Sequence, residues 1–323
     1  MKKLAITTAA ALTALAAFYA WGDWVYEGQW GTYGAGDGQF NDSWGVAVAP
    51  NGTVYVSDRE NHRLQHFTAT GTFLSKWGVK GSGNGHFDKP TGVAVAPNGN
   101  VYVADSWNHR LQYFTSTGSF LGRWGSGGSG NGQFILPEGV AIAADGTVYV
   151  ADSINHRVQK FTSSGAFLGK WGSYGSGTGE FIMPCGVAVA PAGNVYVADT
   201  LNSRVQYFTA AGSFLGRWGS EGSGEGQFMG PWGICVGPDA KVFVADELNV
   251  NVQGFTATGS FLARWGIPGS GNGQFRSPLH VAVSRTGARV YVTDSRNHRV
   301  QYFNRNETAV TPSSLGRVKA IFR

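Results

Sequence analysis

Aspartate, histidine and arginine, the side chains most able to do chemistry, recur along this chain at a nearly fixed spacing. An Asp ends a Val-rich tripeptide six times, and in five of the six copies an Arg follows five residues later. Because a carboxylate and a guanidinium at this spacing can pair across a turn, we expect a local clamp rather than a catalytic group. Histidines that occur once per copy would lie far apart, which argues against a metal site. The repeated aspartates are Asp58, Asp105, Asp152, Asp199, Asp246 and Asp294.

These aspartates are separated by 47, 47, 47, 47 and 48 residues, so the chain contains six copies of one unit. In the third copy a loop rich in Gly and Ser is followed by apolar runs at 139–143, 148–152, 157–161 and 167–171. Turn residues separate these runs, as expected for hairpins. Six such units stacked radially bury both faces of every sheet. The predicted fold class is all-β, a six-bladed β-propeller of four-stranded antiparallel blades.

The two ends of the repeated region predict how the ring closes. The sixth copy stops after its third strand at Phe303, whereas the segment 24–31 precedes the first copy and ends in Trp-Gly, as the fourth strands do. We expect this N-terminal strand to complete the last blade, because closure removes the exposed edges of an open array. The propeller is predicted to span residues 23–303.

The Asn-His-Arg sequences, together with the Val-Tyr-Val-Ala-Asp strand before them, resemble the NHL repeat family from Trp24 to Phe303. The fourth copy departs from the signature at Ser203, and the fifth departs at Val250 and Asn251. The resemblance implies the propeller fold but not one function, since such propellers include ubiquitin-ligase substrate modules, RNA-binding modules, a zinc-dependent lyase and extracellular receptor domains. The three-His set of that lyase is not found at equivalent positions. Four copies carry the signature in full, at Asn61-His62, Asn108-His109, Asn155-His156 and Asn297-His298.

The positions at which near-identical copies differ are the candidate functional residues. In a propeller, the loops that enter the first strands and the loops that join the second and third strands should open on one face, around the channel. Trp, Arg and charged residues there are typical of a binding surface, although neutral variation of exposed loops gives the same pattern. The candidate ligand- or partner-binding residues are Trp44, Arg59, Glu60, Trp107, Glu138, Trp232, Asp246, Glu247, His280 and Arg296.

The fifth copy stands apart because Asp246 lacks its Arg. An unpaired Asp beside Glu247 and Trp232 could receive a cationic or sugar-like group. A repeat that has merely decayed would look the same.

We expect a monomeric, exported scaffold that binds a protein, peptide or glycan through the loop face, with no cofactor, metal or catalytic residue. The alternative is a metal-dependent lyase or a lactonase-like hydrolase with its site at the central channel. That chemistry needs several converging ligands, and the channel entry offers only Glu138 and His280, with Cys185 as a doubtful third. Nucleic acid is not an expected partner, because the net charge of +5 lies in the two ends and the body is neutral.

The ends of the chain suggest export. Residues 1–20 have the features of a secretory signal, with Lys2 and Lys3 before an apolar stretch, and an uncleaved membrane anchor is the alternative. Residues 304–323 form a polar and then basic tail, either a sorting tag or a frayed end. The two cysteines, Cys185 and Cys235, are interpreted as small buried apolar residues. We therefore expect a secreted, periplasmic or cell-surface protein.

Overall fold

The computed structural model describes residues 24–306, which form six four-stranded antiparallel sheets arranged as the blades of a ring. This confirms the predicted six-bladed β-propeller. The first strands of neighbouring blades contact each other around the central axis, and the fourth strands form the rim. Within residues 24–306, no helix has the length and hydropathy needed to cross a membrane. The predicted signal segment 1–20 and all of the tail beyond residue 306 lie outside the described residues.

The strands follow the repeat. Blade 1 consists of Ser43–Val48, Val54–Asp58, Arg63–Phe67 and Phe73–Trp77, and blade 2 of Pro90–Val95, Val101–Asp105, Arg110–Phe114 and Phe120–Trp124. Blade 3 consists of Pro137–Ile142, Val148–Asp152, Arg157–Phe161 and Phe167–Trp171, and blade 4 of Pro184–Val189, Val195–Asp199, Arg204–Phe208 and Phe214–Trp218. Blade 5 consists of Pro231–Val236, Val242–Asp246, Asn251–Phe255 and Phe261–Trp265. Blade 6 consists of Pro278–Val283, Arg289–Asp294, Arg299–Arg305 and Trp24–Trp30.

Short elements complete the ring. The strands Ile267–Pro268 and Gln274–Phe275 pair in parallel within the loop that enters blade 6. Single-turn 3₁₀ helices join the second and third strands of four blades, at Ser106–Asn108, Ser153–Asn155, Thr200–Asn202 and Ser295–Asn297.

The ring closes as the sequence predicts, because the N-terminal strand Trp24–Trp30 pairs antiparallel with Arg299–Arg305 of blade 6. The pairing extends to Trp24 opposite Arg305, so the last strand runs two residues past Phe303. Trp24 packs edge-on against Phe243 of blade 5, with 5.4 Å between ring centroids. At the other end of the strand Trp30 reaches Phe67 of blade 1, at 5.6 Å. One strand therefore joins blade 6 to both of its neighbours.

The apolar core is divided into six clusters, one at each interface between blades. Close approach of the first strands requires glycine: a Cβ on Gly139 of blade 3 would lie 2.5 Å from the carbonyl oxygen of Cys185 in blade 4. In blade 6 this glycine is replaced by His280, and there the Thr293 hydroxyl bridges the His280 amide and the Trp44 carbonyl, at 2.9 and 2.6 Å. The Ser57 hydroxyl makes the same bridge at the next interface, between the Gly45 amide and the Thr91 carbonyl, at 2.7 and 2.6 Å.

The predicted Asp–Arg clamp is present in five blades and is buried. In blade 3, Asp152 Oδ2 accepts a hydrogen bond from Arg157 Nε at 2.7 Å, and Asn155 Nδ2 donates to the same carboxylate at 3.0 Å. The Arg157 guanidinium also donates to the carbonyl oxygens of Ser129, Gly130 and Gln133, at 2.6 to 2.8 Å. In these five blades the clamp therefore fixes the Gly-Ser loop as well as the turn, and it satisfies a carboxylate that would be costly to bury alone.

The repeated histidine connects consecutive blades. His109 of blade 2 accepts a hydrogen bond through Nδ1 from the amide of Leu136 in blade 3, at 3.2 Å, and three other histidines make the equivalent contact. The residue in this turn has a left-handed backbone, with φ near 54° at His156. The histidines are consequently structural, as their repetition predicted.

Removing one arginine clamp should destabilise the whole ring. We expect Arg157→Ala to lower the free energy of unfolding by about 3 to 5 kcal/mol, because it leaves the buried Asp152 carboxylate and three loop carbonyls without their cation. Guanidinium denaturation followed by tryptophan fluorescence measures this change.

The matched control is Arg217→Ala, which removes an exposed arginine from the rim of blade 4. It should change the free energy of unfolding by no more than about 0.5 kcal/mol. Equal effects of the two substitutions would contradict a structural role for the clamp.

Candidate functional site

One face of the ring carries both sets of variable loops. The amide of Trp107, in the loop between the second and third strands of blade 2, donates to the carbonyl of Asp88 in the loop that enters the same blade, at 3.2 Å. The corresponding bond in blade 4 joins Leu201 to Ile182, at 3.1 Å. We call this side of the ring the loop face.

At the centre of the loop face, six side chains at the starts of the first strands converge on the axis. Trp44 of blade 1 contacts Trp232 of blade 5, with 5.6 Å between ring centroids, although these blades are not neighbours. Thr91, Cys185 and Leu279 are almost completely buried. These residues fill the channel entrance, so we call them the channel plug: Trp44, Thr91, Glu138, Cys185, Trp232 and Leu279.

Glu138 is the ionisable carboxyl group of the plug. Its Oε2 atom is buried without a hydrogen-bond partner among the described residues, and Oε1 lies 3.5 Å from the Ser106 hydroxyl. Burial raises the pKa of Glu138 to about 7, opposed first by the positive charge of Arg59 and then by hydrogen bonding from Ser106. A carboxyl group in this state changes charge near neutral pH.

The other titratable groups near the axis are held neutral. Burial, together with the nearby Glu138 carboxylate, raises the pKa of the Cys185 thiol to about 12, so this cysteine is not a nucleophile. Burial lowers the pKa of His280 to about 4, and its Nε2 atom has no partner among the described residues. Both cysteines are free, and burial also raises the pKa of Cys235.

Beyond the plug, the channel is apolar. A cavity of about 180 Å³ is lined by the first strands of all six blades, mostly by valine and alanine side chains, with His280 at its upper end. A second cavity of about 310 Å³ follows toward the opposite face, between the hairpins that join the first and second strands.

Arg59 and Glu60 belong to an ion-pair network on blades 1 and 2. Arg59 Nη1 lies 2.9 Å from Glu60 Oε1 and 3.2 Å from Asp42 Oδ2, and Lys89 Nζ lies 3.0 Å from Glu60 Oε1. The guanidinium of Arg59 also stacks over Trp44 at 4.4 Å, and the ammonium of Lys89 over Trp107 at 4.6 Å. The charges of this sector largely compensate one another.

The expectation that Asp246 is unpaired is wrong. Asp246 is fully buried, and its carboxylate accepts hydrogen bonds from the amides of Met229 and Gly230 at 3.1 and 2.9 Å, and from Asn249 Nδ2 at 2.7 Å. The Met229 and Asn249 bonds have equivalents in the blades that keep their arginine, so the Gly230 amide is the donor that blade 5 adds. Glu247, next to it, accepts a hydrogen bond from the Ser277 hydroxyl of blade 6 at 2.9 Å.

An arc of exposed apolar side chains runs along the loop face over blades 2 to 5. Its members occupy the same position of the loop between the second and third strands, and Met229 extends the arc on blade 5. Single exposed apolar residues are ordinary, but their recurrence at one position of four consecutive blades is typical of an interaction surface. The fractional exposures are 51% for Trp107, 40% for Ile154, 61% for Leu201, 62% for Leu248 and 45% for Met229.

Blade 6 continues the series with arginine instead of an apolar residue. Arg296 occupies the position of Leu248, and Arg276 occupies the position of Met229 in the entering loop; both are exposed. Neither forms an ion pair with any carboxylate in residues 24–306. The apolar arc therefore ends at two uncompensated positive charges.

The structure thus divides the ten predicted residues. Trp44, Glu138 and Trp232 belong to the plug and His280 lies at the upper end of the channel, whereas Arg59, Glu60, Trp107, Glu247 and Arg296 lie on the surrounding loops and Asp246 is structural. Four residues of the exposed apolar arc were not among the residues predicted from the sequence: Ile154, Leu201, Leu248 and Met229. Ordinary apolar residues carry no chemical signal in a sequence, and only their equivalent register could have identified them.

Within the described range, no group of three or more His, Cys, Asp or Glu side chains could hold a metal ion.

Glu138 gives the stability of the protein a specific pH dependence. Since its folded pKa of about 7 exceeds the ordinary value of 4.5, the folded state binds this proton more tightly than the unfolded state, and stability falls as the pH rises between these values. Glu138→Gln should therefore be more stable than the wild type at pH 8, by up to about 3 kcal/mol, and nearly equal to it at pH 5. Urea denaturation at the two pH values measures the difference.

Glu221→Gln, which alters an exposed glutamate, is the control and should follow the wild type at both pH values. If Glu138→Gln keeps the pH dependence of the wild type, the Glu138 carboxyl is not held as described.

Comparison with known proteins agrees with this architecture. The NHL repeat family model matches residues 40–67, 87–114, 134–161, 181–208 and 275–303, which leaves out blade 5, where both His and Arg of the signature are lost. Protein lin-41 of Caenorhabditis elegans is 46% identical over 46 residues, which are 14% of this chain and 4% of that protein.

Solved structures show the same fold. A gluconolactonase from Xanthomonas campestris superposes with a TM-score of 0.63 at 17% identity, over 88% of this chain and 92% of that chain. A streptogramin B lyase superposes with a TM-score of 0.62 at 13% identity, over 89% of this chain and 99% of that chain. At these identities the likeness establishes architecture and not activity. The repeat matches and the six closed blades together make this chain an NHL-repeat protein with a six-bladed β-propeller fold.

Proposed function

We propose that this protein is an exported interaction scaffold that binds a partner protein or peptide through the loop face. The observation that carries this proposal is the apolar arc, formed by Trp107, Ile154, Leu201 and Leu248 at one equivalent position of four consecutive blades. Exposed side chains of this size have no structural role in the clamps or the interfaces between blades. A rigid ring that presents variable loops is a suitable support for such a surface.

The residues of this surface also support a proposal for the chemistry of the partner. Apolar side chains of the partner would cover blades 2 to 5, and acidic side chains would lie over Arg276 and Arg296 of blade 6. Trp107 is the best candidate for an energetic centre, because a tryptophan buries a large area and Lys89 already fixes its ring. A glycan would use Trp107 but has little to gain from the aliphatic remainder of the arc.

The channel supports this choice over catalysis. The plug fills the channel entrance on the loop face, and the titratable groups near it do not form a ligand set. A metal-dependent lyase or hydrolase would need converging donors, and the described residues supply none. The likeness to a gluconolactonase and a streptogramin B lyase supports the alternative by fold alone.

Export belongs to the same proposal. The basic and then apolar start of the chain favours secretion to the periplasm, the cell surface or the medium. Following the full chain and a variant without residues 1–20 by cell fractionation tests the location separately from binding.

Peptides selected on the wild-type protein should depend on the arc. We expect peptides from a random phage-displayed library to be rich in apolar and acidic residues. They should lose at least about tenfold in affinity for a variant carrying Trp107→Ser, Ile154→Ser, Leu201→Ser and Leu248→Ser. Biolayer interferometry with synthetic peptides measures the loss.

The control makes the same chemical change on another surface, with Leu121→Ser, Leu168→Ser and Leu215→Ser on the exposed rim strands. The control should bind as the wild type does. Equal affinity of the selected peptides for the wild type and the arc variant would refute the proposal of a protein partner. Binding only to glycans on an array would refute it as well.

The two arginines of blade 6 should govern association more than dissociation. We expect Arg276→Glu combined with Arg296→Glu to lower the association rate of the selected acidic peptides at low salt, and to remove most of its salt dependence. The dissociation rate should change less. Arg217→Glu on the rim is the control, and an equal effect of both charge reversals would argue against electrostatic steering by blade 6.

A further inference from the structure

The one irregular spacing of the repeat, 48 residues instead of 47, originates in the first hairpin of blade 6. In blade 1 the turn between the first and second strands closes with the Ala49 amide bonded to the Thr53 carbonyl, four residues later, at 2.8 Å. In blade 6 the Ser284 amide bonds to the Arg289 carbonyl, five residues later, at 2.8 Å. The extra residue lies between Gly287 and Arg289.

Two arginines of this hairpin, Arg285 and Arg289, lie at the border between blades 6 and 1. Arg285 occupies the position held by Pro50 in blade 1 and by Ala144 in blade 3. Arg289 reaches across to blade 1, where its Nη1 donates to the carbonyl of Ala69 at 2.9 Å. Its Nε donates to Asn304 Oδ1 at 2.8 Å, and its guanidinium stacks 4.6 Å from the Tyr302 ring. Arg289 is therefore held in one orientation.

A cavity of about 990 Å³ lies at this border, on the face of the ring opposite the loop face. This volume is within the range of small-molecule sites. Arg285, Arg289 and Arg305 line it together with one acidic residue, Glu27, so its ionisable lining carries 3 − 1 = +2 charges. The amides of Asn51 and Asn304 add neutral polar groups.

These positive charges are poorly neutralised by the protein itself. Arg285 is exposed and forms no ion pair with a carboxylate in residues 24–306. Arg305 has one long contact, 3.5 Å from Asp239, and Asp239 also pairs with Lys241 at 3.2 Å. In a propeller body whose overall charge is close to zero, this concentration of positive charge favours an anionic ligand.

We propose that the cavity between blades 6 and 1 binds an organic phosphate through Arg285 and Arg289. Guanidinium groups match the oxygen geometry of a phosphate, and a phosphate monoester carries about −1.5 to −2 charges at neutral pH, close to the +2 of the lining. Pro50, Ala69 and Val25 provide an apolar wall for the organic part. The phosphate can come from a soluble metabolite or from a lipid headgroup, because the charge of the site does not distinguish them.

The test uses the full chain with inorganic phosphate, glycerol 3-phosphate and phosphatidylcholine vesicles with and without phosphatidic acid. Isothermal titration should show binding of the soluble phosphates if the ligand is soluble, and vesicle sedimentation should show recruitment only by phosphatidic acid if it is a lipid. Arg285→Ala, which installs the residue that blade 3 has at this position, should weaken the observed binding by about tenfold. Arg289→Lys keeps the charge and should weaken it to a similar extent.

Arg217→Ala on the rim removes the same charge elsewhere and should leave binding unchanged. Circular dichroism of each variant separates loss of fold from loss of binding, and Arg285→Ala alone decides the outcome if Arg289→Lys is unstable. Absence of binding to all probes, or equal binding by the wild type and Arg285→Ala, overturns the proposal. The arc variant of the loop face should bind phosphate normally, so this test is independent of the partner proposed above.

Discussion

The structure depends on a buried carboxylate at the end of the second strand of every blade. Each of these aspartates is withdrawn from water, and burial raises the pKa of Asp105 even though Arg110 and Asn108 donate to it. The clamp therefore contributes specificity more than net electrostatic stability, because a buried ion pair rarely exceeds its desolvation cost. The clamp determines geometry, because one guanidinium fixes the turn, the Gly-Ser loop and the strand ends together. The loops of the loop face are built on the frame that these contacts form.

This frame persists where a residue of the repeat signature is lost, because the hydrogen bonds rearrange. Where Ser203 and Val250 replace the histidine that binds the next loop, the amides of Gly230 and Ser277 are bonded instead to the strand-end carboxylates Asp246 and Asp294. Blade 5, which has lost both His and Arg, remains a regular four-stranded sheet. Departure from a repeat signature is thus a poor guide to function when backbone groups can satisfy the same buried atom.

The two faces of the ring have become different in character. On the loop face, the channel entrance is filled by the plug. Around it, the surface changes from paired charges on blade 1, through exposed apolar side chains on blades 2 to 5, to two arginines on blade 6. On the opposite face, the hairpins are short and uniform except at blade 6, where one added residue accompanies a cavity and an arginine cluster. Both asymmetries meet at blade 6, which is also where the chain closes the ring and where its spacing is irregular.

The sequence by itself determined the six copies, the four strands of each, the closing strand Trp24–Trp30 and the pairing of Asp with Arg. All of these rest on local periodicity and on contacts within one repeat, which a linear pattern records. Tertiary structure alone decided that Trp44 meets Trp232 across the axis, that Asp246 is satisfied by backbone amides, and that Ile154, Leu201 and Leu248 join Trp107 in one surface. These relations join different blades or depend on which side of a loop faces water, and residue type at one position does not encode them.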